Sequence, residues 1–528
     1  MTQKEQIVLL DKSGKPIGSA PKLDSHHAKT PLHLAFSTYV FNAQGEVLLT
    51  RRADTKKVFP GIWTNSCCGH PGPEEPITQA IARRLKQELG ITPHSIRLAL
   101  PHYRYRAAMN GIVENEICPV YIVTTHDEPK PNPDEVAEYR WVSWQEFRRL
   151  SKSKKFSPWA REQSRLLDPI INVYMVTRPD IDSLAIYRKP LLQDIRRLIK
   201  GRGSGDTNHW RMDVQSRLDK YAVNGKLLRG CLLQFSHDAF GGTNKKAAKT
   251  AAACLELLHA ALLIHDDVMD GDAMRRGNPA MHRQYEDLSS LKPPASKHFG
   301  ESMAICVADA AIFKALGSLG SITATTEHKT KIIDLFSRVL ETVCYGQMLD
   351  IELGQSEQVP DESVIMMVME QKTAVYSLSL PLVTGAILAN QPTSVIGQLE
   401  KLGKIIGTIF QIRDDELGIF GDPSTTGKPV GSDIKEGKKT LLYHYLFHNC
   451  TAIQKKRLKH IFGNQKASDA DIKYVRSLMI ELGLPERIDE KIADLTIDAV
   501  RIISKLDINK RNQRSLYQLV AFCAIRDV

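Results

Sequence analysis

The sequence has no CxxC pair among its nine cysteines, no apolar run near the roughly 20 residues that span a bilayer, and no repeat or low-complexity tract. An odd number of cysteines without paired spacing argues against a disulfide framework, and points to reduced thiols in a cytoplasmic protein. Runs such as "HAALLI" and "LSLPLVTGAILA" are too short for stable membrane insertion. The opening "MTQKEQIVLLDKSGK" turns polar within a few residues, so no secretory signal is expected. What is present is ordinary for a globular chain: 42% hydrophobic and 25% charged residues. Its 528 residues exceed what one core serves, so two or more domains are expected. The net charge of +11 suits acidic partners, which leaves nucleic acid, anionic lipid and phosphorylated small molecules open.

Up to about residue 165 the pattern is mixed. "HLAFSTYVFNAQGEVLLTRR" predicts strand, turn, strand, and "ITQAIARRLKQELGI" an amphipathic helix closed by Gly90. "ENEICPVYIVTT" predicts another strand, and helical character returns around "WVSWQEFRRLSKSKKFSPW". From about 190 onward nearly everything reads as long helices, with "GRGSGDTN" as a loop among them. The expected organisation is an α+β domain over 1–175, a linker over 176–190 and an all-α domain over 191–528.

"LLIHDDVMDGDAMRRG" places Asp266 and Asp270 one helical turn apart, with Asp267 beside them, at the end of an apolar helix. "FQIRDDELGIFGD" places Asp414 and Asp415 in the same context. Either cluster alone could be a solvated helix end. Carboxylates gathered on the inner side of a bundle, however, cost several kcal/mol unless a cation compensates. Oxygen-only ligands suit Mg²⁺ gripping a diphosphate. Basic residues complete the pattern: Lys226 and Arg229 in "GKLLRG", Arg275 and Arg276 in "MRRGNP", Lys372 in "QKTA", and Lys428 and Lys438 in "TGKPVGSDIKEGKKT".

In this order the motifs over about 185–528 resemble the trans-type polyprenyl diphosphate synthases. The resemblance implies an all-helical fold around a central cavity, dimeric in most members. Asp266, Asp267, Asp270, Asp414 and Asp415 would bind Mg²⁺ bridged to an allylic diphosphate. Arg275, Lys372 and Lys428 would help ionise it, and Lys226, Arg229, His259 and Arg276 would hold isopentenyl diphosphate, with Lys438 a further substrate-binding residue. Two positions depart from the family: Gly418 replaces a third aspartate and Gly230 a proline. In this family bulk just upstream of the first aspartates floors the product pocket. Ala261 and Leu262 are not aromatic, which favours a twenty-carbon product over fifteen.

The first 165 residues offer His26 and His33, Cys68 and His70, and Glu114 and Glu116. Glu114 and Glu116 alternate on one strand face. With the three histidines they would make a mixed nitrogen and oxygen site for Mn²⁺, Mg²⁺ or Zn²⁺. The stretch from Gly69 to Ile91 fits the frame of a Nudix box, but Arg84 and Gln87 stand where that box has glutamates, while Glu88 is kept. "HLAFS", "LLTRRADTKKVFPGIWTNSCCGHP", "YRYRA", "GIVENEICPV" and "FSPW" resemble the type I isopentenyl diphosphate isomerases, a Nudix-fold family. That resemblance makes His26, His33, His70, Glu114 and Glu116 the metal site, and Cys68 and Glu116 the acid–base pair. Glu88 would help hold a second ion, Mg²⁺, and Lys22, Arg52, Lys56 and Arg84 the phosphates. Tyr105 would orient Glu116, and Trp159 would offer its π face to a cation-like intermediate.

Together the halves would turn isopentenyl diphosphate into dimethylallyl diphosphate and then into longer prenyl diphosphates, geranylgeranyl diphosphate first among them and farnesyl diphosphate the alternative. Neither nucleic acid nor a membrane is required. Two other classes are a Nudix hydrolase trimming diphosphates and a non-catalytic prenyltransferase-like module.

Overall fold

The structure is a computed structural model describing residues 5–175, 182–201, 208–223, 225–421 and 431–525. Short alternating runs in the first part become twelve strands: β1 Gln6–Leu10, β2 Pro16–Pro21, β3 His33–Leu34, β4 Phe36–Phe41, β5 Val47–Arg52, β6 Trp63–Thr64, β7 Cys67–Gly69, β8 Ser95–Leu100, β9 Arg104–Met109, β10 Ile112–Ile117, β11 Val120–Thr124 and β12 Val136–Val142. One sheet runs β2-β1-β3-β10-β9 and the other β12-β5-β4-β11-β8, with β6 on β5 and β7 on β4.

The stretch "ENEICPVYIVTT", expected as one strand, is two. Pro119 has no N–H to give a ladder, and at Cys118-Pro119 the chain leaves the first sheet for the second. Helix α1 (Ile77–Leu89) ends as expected on Gly90, left-handed at φ 67°. Its buried face, Ala80, Ile81, Leu85 and Leu89, packs with Phe36, Val40 and Leu48. Helices α2 (Trp144–Leu150) and α3 (Pro158–Leu167) each start on a serine cap, Ser143 and Ser157.

After residue 182 the regular structure is almost wholly helical. The helices that matter here are α4 Leu228–Ala239, α5 Lys245–Asp270, α6 Ala295–Gly320, α7 Thr326–Gln355, α8 Thr393–Phe420 and α9 Leu484–Ile503. A strand-rich first part and a helical remainder agree with the expected fold classes. Between α7 and α8 the backbone widens into π-helical turns over Met369–Ser379, a geometry often found at functional sites. By length and composition α5 and α6 could each cross a membrane. The most apolar window of α5 is 72% buried inside the protein, that of α6 33%.

Backbone contacts divide the chain into two compact units. The first comprises Met1–Pro179, Ile412–Ser504 and Val520–Val528, the second Asp180–Gln411 and Lys505–Leu519. Within the first, β8 is the edge strand of its sheet, and α9 packs against it. Ala493 of α9 is fully buried in the same cluster as Leu98, Tyr121 and Val123.

Candidate functional site

Three strands set one row of side chains. Glu116 of β10 lies beside His33 of β3 on one side and Tyr105 of β9 on the other. Register partners share a sheet face, so all three side chains point the same way. His26 and His70 close on this row. The ligand atoms of His26, His33, His70 and Glu116 lie within 4.8 Å of one another. His33 Nε2 and His70 Nε2 are 3.2 Å apart, and each approaches Glu116 Oε1, at 3.5 and 3.2 Å. Glu114 joins through His26, whose Nε2 is 3.2 Å from Glu114 Oε2.

The tautomers are fixed from outside. His26 Nδ1 meets the Lys22 carbonyl at 2.7 Å and His33 Nδ1 the Pro31 carbonyl at 2.9 Å. A carbonyl only accepts, so each Nδ1 carries the proton and each Nε2 turns inward. Burial holds His70 neutral, its pKa lowered to about 3. Burial also disfavours the Glu116 carboxylate, but its contacts with His33 and His70 outweigh it and keep the pKa well below the usual range. Inward imidazole nitrogens around an ionised carboxylate fit a divalent cation with mixed nitrogen and oxygen ligands.

Cys68, on β7 opposite Ser37, is partly accessible. Its Sγ donates to Asn65 Oδ1 at 3.2 Å and lies 3.5 Å from Ser37 Oγ. Burial pushes the thiol pKa up to about 11, so it stays protonated at neutral pH. Asn65 is fully buried, and its Nδ2 donates to the Thr38 and Cys67 carbonyls, both at 3.0 Å. Those two bonds leave Oδ1 to accept from Cys68 and from Trp159 Nε1, the latter at 3.0 Å. One amide therefore orients both the thiol and the indole. Tyr105 packs on Trp159 with ring centroids 5.3 Å apart. Cys67 points into the core instead, 2% exposed.

Around this centre the expected phosphate-binding residues are held by acids. Lys22 Nζ donates to Glu5 at 2.7 Å, Lys56 to Glu135, and Arg84 to Glu88 and, at 3.2 Å, to Glu5. Burial opposes the Glu5 charge, yet Lys22 and Arg84 hold its pKa at about 2. Arg52 instead donates to the main-chain carbonyls of Val58 and Phe59.

In the second unit α5 delivers the first aspartates. Asp267 is fully buried and accepts from Tyr221 Oη at 2.8 Å and Arg275 Nε at 2.6 Å. Lys372, on the π-helical stretch, donates to Asp350 at 2.6 Å and lies 3.5 Å from Asp266. Burial, then repulsion from Asp266, raises the Asp270 pKa to about 6. Partly buried carboxylates that repel one another suit a hard cation. Beside them Arg229 donates to His259 Nε2 at 3.0 Å, Tyr376 Oη at 3.1 Å and Ser377 Oγ at 2.7 Å. Burial first, then the Arg229 and Arg276 charges, drive the His259 pKa well down, leaving a neutral imidazole that accepts. Lys226 is exposed just ahead of α4. Gly230 has a local reason: its N–H donates to Glu256 at 2.7 Å, a bond that a proline could not make.

In the first unit Asp414 and Asp415 end α8 as expected, and Lys438 Nζ donates to Asp415 Oδ1 at 2.7 Å. A Cβ on Gly418 would lie 2.4 Å from Asp433 Oδ2, so the Asp433 carboxylate fills the space beside the vacant third-aspartate position. Lys428 lies outside the described residues.

Sequence reasoning missed Asn65, Ser37, Glu5, Glu135, Tyr221, Asp350 and Asp433. Asn65, Ser37 and Asp433 stand within quoted motifs, beside the residues that carry the resemblance. Glu5, Glu135, Tyr221 and Asp350 come from distant parts of the chain, and no spacing marks them.

A polyprenyl synthetase family model matches residues 213–479, and a NUDIX domain model residues 31–167. The isopentenyl-diphosphate Delta-isomerase of Saccharopolyspora erythraea is 54% identical over 162 residues, 30% of this chain and 84% of that protein. That of Mycolicibacterium vanbaalenii is 54% identical over 166 residues, 31% of this chain and 92% of that one. Among solved structures, a geranylgeranyl pyrophosphate synthase from Corynebacterium glutamicum, complexed with isoprenyl diphosphate and magnesium, superposes with a TM-score of 0.59 at 28% identity, covering 65% of this chain and 99% of that one. The Pyrococcus horikoshii geranylgeranyl pyrophosphate synthetase gives 0.55 at 26% identity, covering 66% and 98%.

Proposed function

The chain belongs to the polyprenyl synthetase family through its helical part and to the isopentenyl-diphosphate Delta-isomerases through its strand-rich part, and from that footing we propose that one polypeptide makes its own allylic primer and extends it. Isopentenyl diphosphate is isomerised to dimethylallyl diphosphate, which further isopentenyl diphosphate lengthens. The observation that carries the first step is a protonated Cys68 thiol within electrostatic reach of Glu116, the ionised carboxylate of the imidazole cluster. Shifting a double bond by one carbon needs a proton given to the terminal methylene and another taken from the methylene next to the diphosphate-bearing carbon. The pair offers one donor and one acceptor. Trp159 presents its ring to the positive charge between the two events, and Tyr105 supports that ring and Glu116. Lys22, Arg52, Lys56 and Arg84 hold the diphosphate, which competes for them with Glu5, Glu135 and Glu88.

For prenyl transfer, Arg275, Lys372 and Lys428 assist the departure of the allylic diphosphate, while Lys226, Arg229, His259 and Arg276 hold the second substrate, and Lys438 is a further substrate-binding residue. The apolar walls of the bundle keep water from the cation. Bound divalent ions would add positive charge, Mn²⁺, Mg²⁺ or Zn²⁺ at His26, His33, His70, Glu114 and Glu116, and Mg²⁺ at Glu88 and at Asp266, Asp267, Asp270, Asp414 and Asp415.

Geranylgeranyl diphosphate is the favoured product, because Ala261 and Leu262 leave no aromatic floor and the Corynebacterium glutamicum and Pyrococcus horikoshii neighbours are geranylgeranyl pyrophosphate synthases. A cytoplasmic homodimer fits the exposed apolar side chains of α6 and α7, among them Phe313, Tyr345 and Met348. Sedimentation of the wild type against Phe313→Asp tests that assembly, and a monomeric wild type would refute it.

The functional test supplies isopentenyl diphosphate alone with Mg²⁺ and Mn²⁺ and identifies products by mass. Wild type should form long prenyl diphosphates. Cys68→Ala should form none until dimethylallyl diphosphate is added. A fifteen-carbon end product would replace the twenty-carbon assignment. Inorganic phosphate release would favour a hydrolase, and ligand binding without turnover a non-catalytic module.

A further inference from the structure

Arg413 stands one residue before Asp414, and its guanidinium is used on all three nitrogens. Nη2 donates to Asp489 Oδ1 at 3.0 Å, Nε to the Ala524 carbonyl at 3.1 Å, and Nη1 to Glu416. A planar fork held from three directions fixes the rotation of the helix that bears it. Asp489 belongs to α9, and one turn along the same helix Ala493 is buried in the core of the strand-rich fold. His102, just past β8, reaches Asp494 of α9 at 3.1 Å. Helix α9 thus grips the end of α8 through Asp489 and the sheet edge β8 through Ala493. A cavity of about 620 Å³, lined by Leu98, Tyr174, Arg413, Asp489, Ile492 and Ala493, opens beside these contacts.

We propose that Arg413 is a positioning residue for prenyl transfer, holding Asp414 and Asp415 in place through Asp489, and that α9 makes the isomerase sheet the support for that hold. This rests on the reading of Asp414 and Asp415 as Mg²⁺ ligands. It gives the strand-rich fold a second task, independent of the primer it makes. Displacements of about 1 Å at a reacting centre can cost about 100-fold in rate, so loss of the fork is felt at the aspartates without any lost contact to substrate.

The test uses the full chain, with dimethylallyl and isopentenyl diphosphates both supplied and Mg²⁺ varied. Arg413→Gln should lower the prenyl-transfer kcat about tenfold and raise the Mg²⁺ concentration for half-maximal rate at least threefold. Its isomerisation rate should stay within about twofold of wild type. Arg413→Lys should recover part of both losses, which a generally loosened fold would not show. Asp489→Ala, which removes the acceptor and leaves the cation, reads the same shift should Arg413→Gln not fold. Unchanged kcat and Mg²⁺ dependence in Arg413→Gln or Asp489→Ala overturns the inference. Undiminished transfer in Asp414→Ala would instead overturn the underlying reading of the aspartates.

Discussion

The two candidate sites solve opposite electrostatic problems. In the strand-rich fold the imidazoles and Glu116 converge from two strands and two loops, with outside carbonyls setting the tautomers of His26 and His33. That centre is assembled before substrate arrives. In the helical part the aspartates sit at helix ends, tied to their own basic residues: Asp267 to Arg275, Asp266 and Asp350 to Lys372, Asp415 to Lys438. On the proposed function those charges exchange partners when a diphosphate and its cations enter. A sheet holds neighbouring side chains at fixed lateral spacing and suits a compact proton-moving centre. Helix ends set carboxylates and cations facing one another and suit large, highly charged groups.

The sharpest break of this comparison is Cys68→Ala. Isomerisation should fall about 10³-fold while transfer from supplied dimethylallyl diphosphate is unchanged. A parallel loss of both would mean that the two centres are not separable. Next, Asp266→Ala should lower transfer by about 10²–10³-fold and leave isomerisation alone, measured on the same preparation. Asn65→Ala should slow isomerisation roughly 10- to 100-fold, equivalent to about 1.4–2.7 kcal/mol, because the thiol and the indole lose their common acceptor. An isomerisation rate equal to wild type would sink the positioning role given to that amide.

The thiol itself gives a pH test. With its pKa pushed by burial from 9.0 to about 11, the native protein holds this proton more tightly than the unfolded chain does, so stability drains away as pH rises from 9 to 11. Alkylation of Cys68, followed by peptide mapping, should accelerate about tenfold per pH unit from 7 until near 11. A plateau near pH 8 would contradict a protonated resting thiol. The smallest effect is expected from Glu5→Gln. Removing the carboxylate that occupies Lys22 and Arg84 should lower the isomerisation KM about two- to threefold with kcat unchanged. A higher KM would show Glu5 helping to bind substrate instead of competing with it.

Much of this was legible in the sequence because the chemistry-bearing residues cluster in short motifs. Gly90 closes its helix as its position required, and the alternation of Glu114 with Glu116 marks one strand face. The break at Pro119 escaped because Ile117 and Cys118 before it and "VYIV" after it read as one continuous apolar run. The counter-ions Glu5 and Glu135 escaped for another reason. Each is an ordinary surface-type residue whose partner is fixed only by sheet packing, and Lys56 and Glu135 are 79 positions apart. Gly418 read as a lost ligand, and only the fold shows the Asp433 carboxylate in the adjoining space.

The cover over β8 also bears on how the chain is made. The edge strand is complete at Leu100, but the helix that packs against it begins at Leu484. At ribosomal rates of about 5–20 residues per second, the edge waits roughly 20–80 s for that helix to be synthesised. During that interval its unpaired backbone groups are open to other chains. Nascent chains stalled before residue 484 should therefore lean on chaperones that full-length chains no longer need.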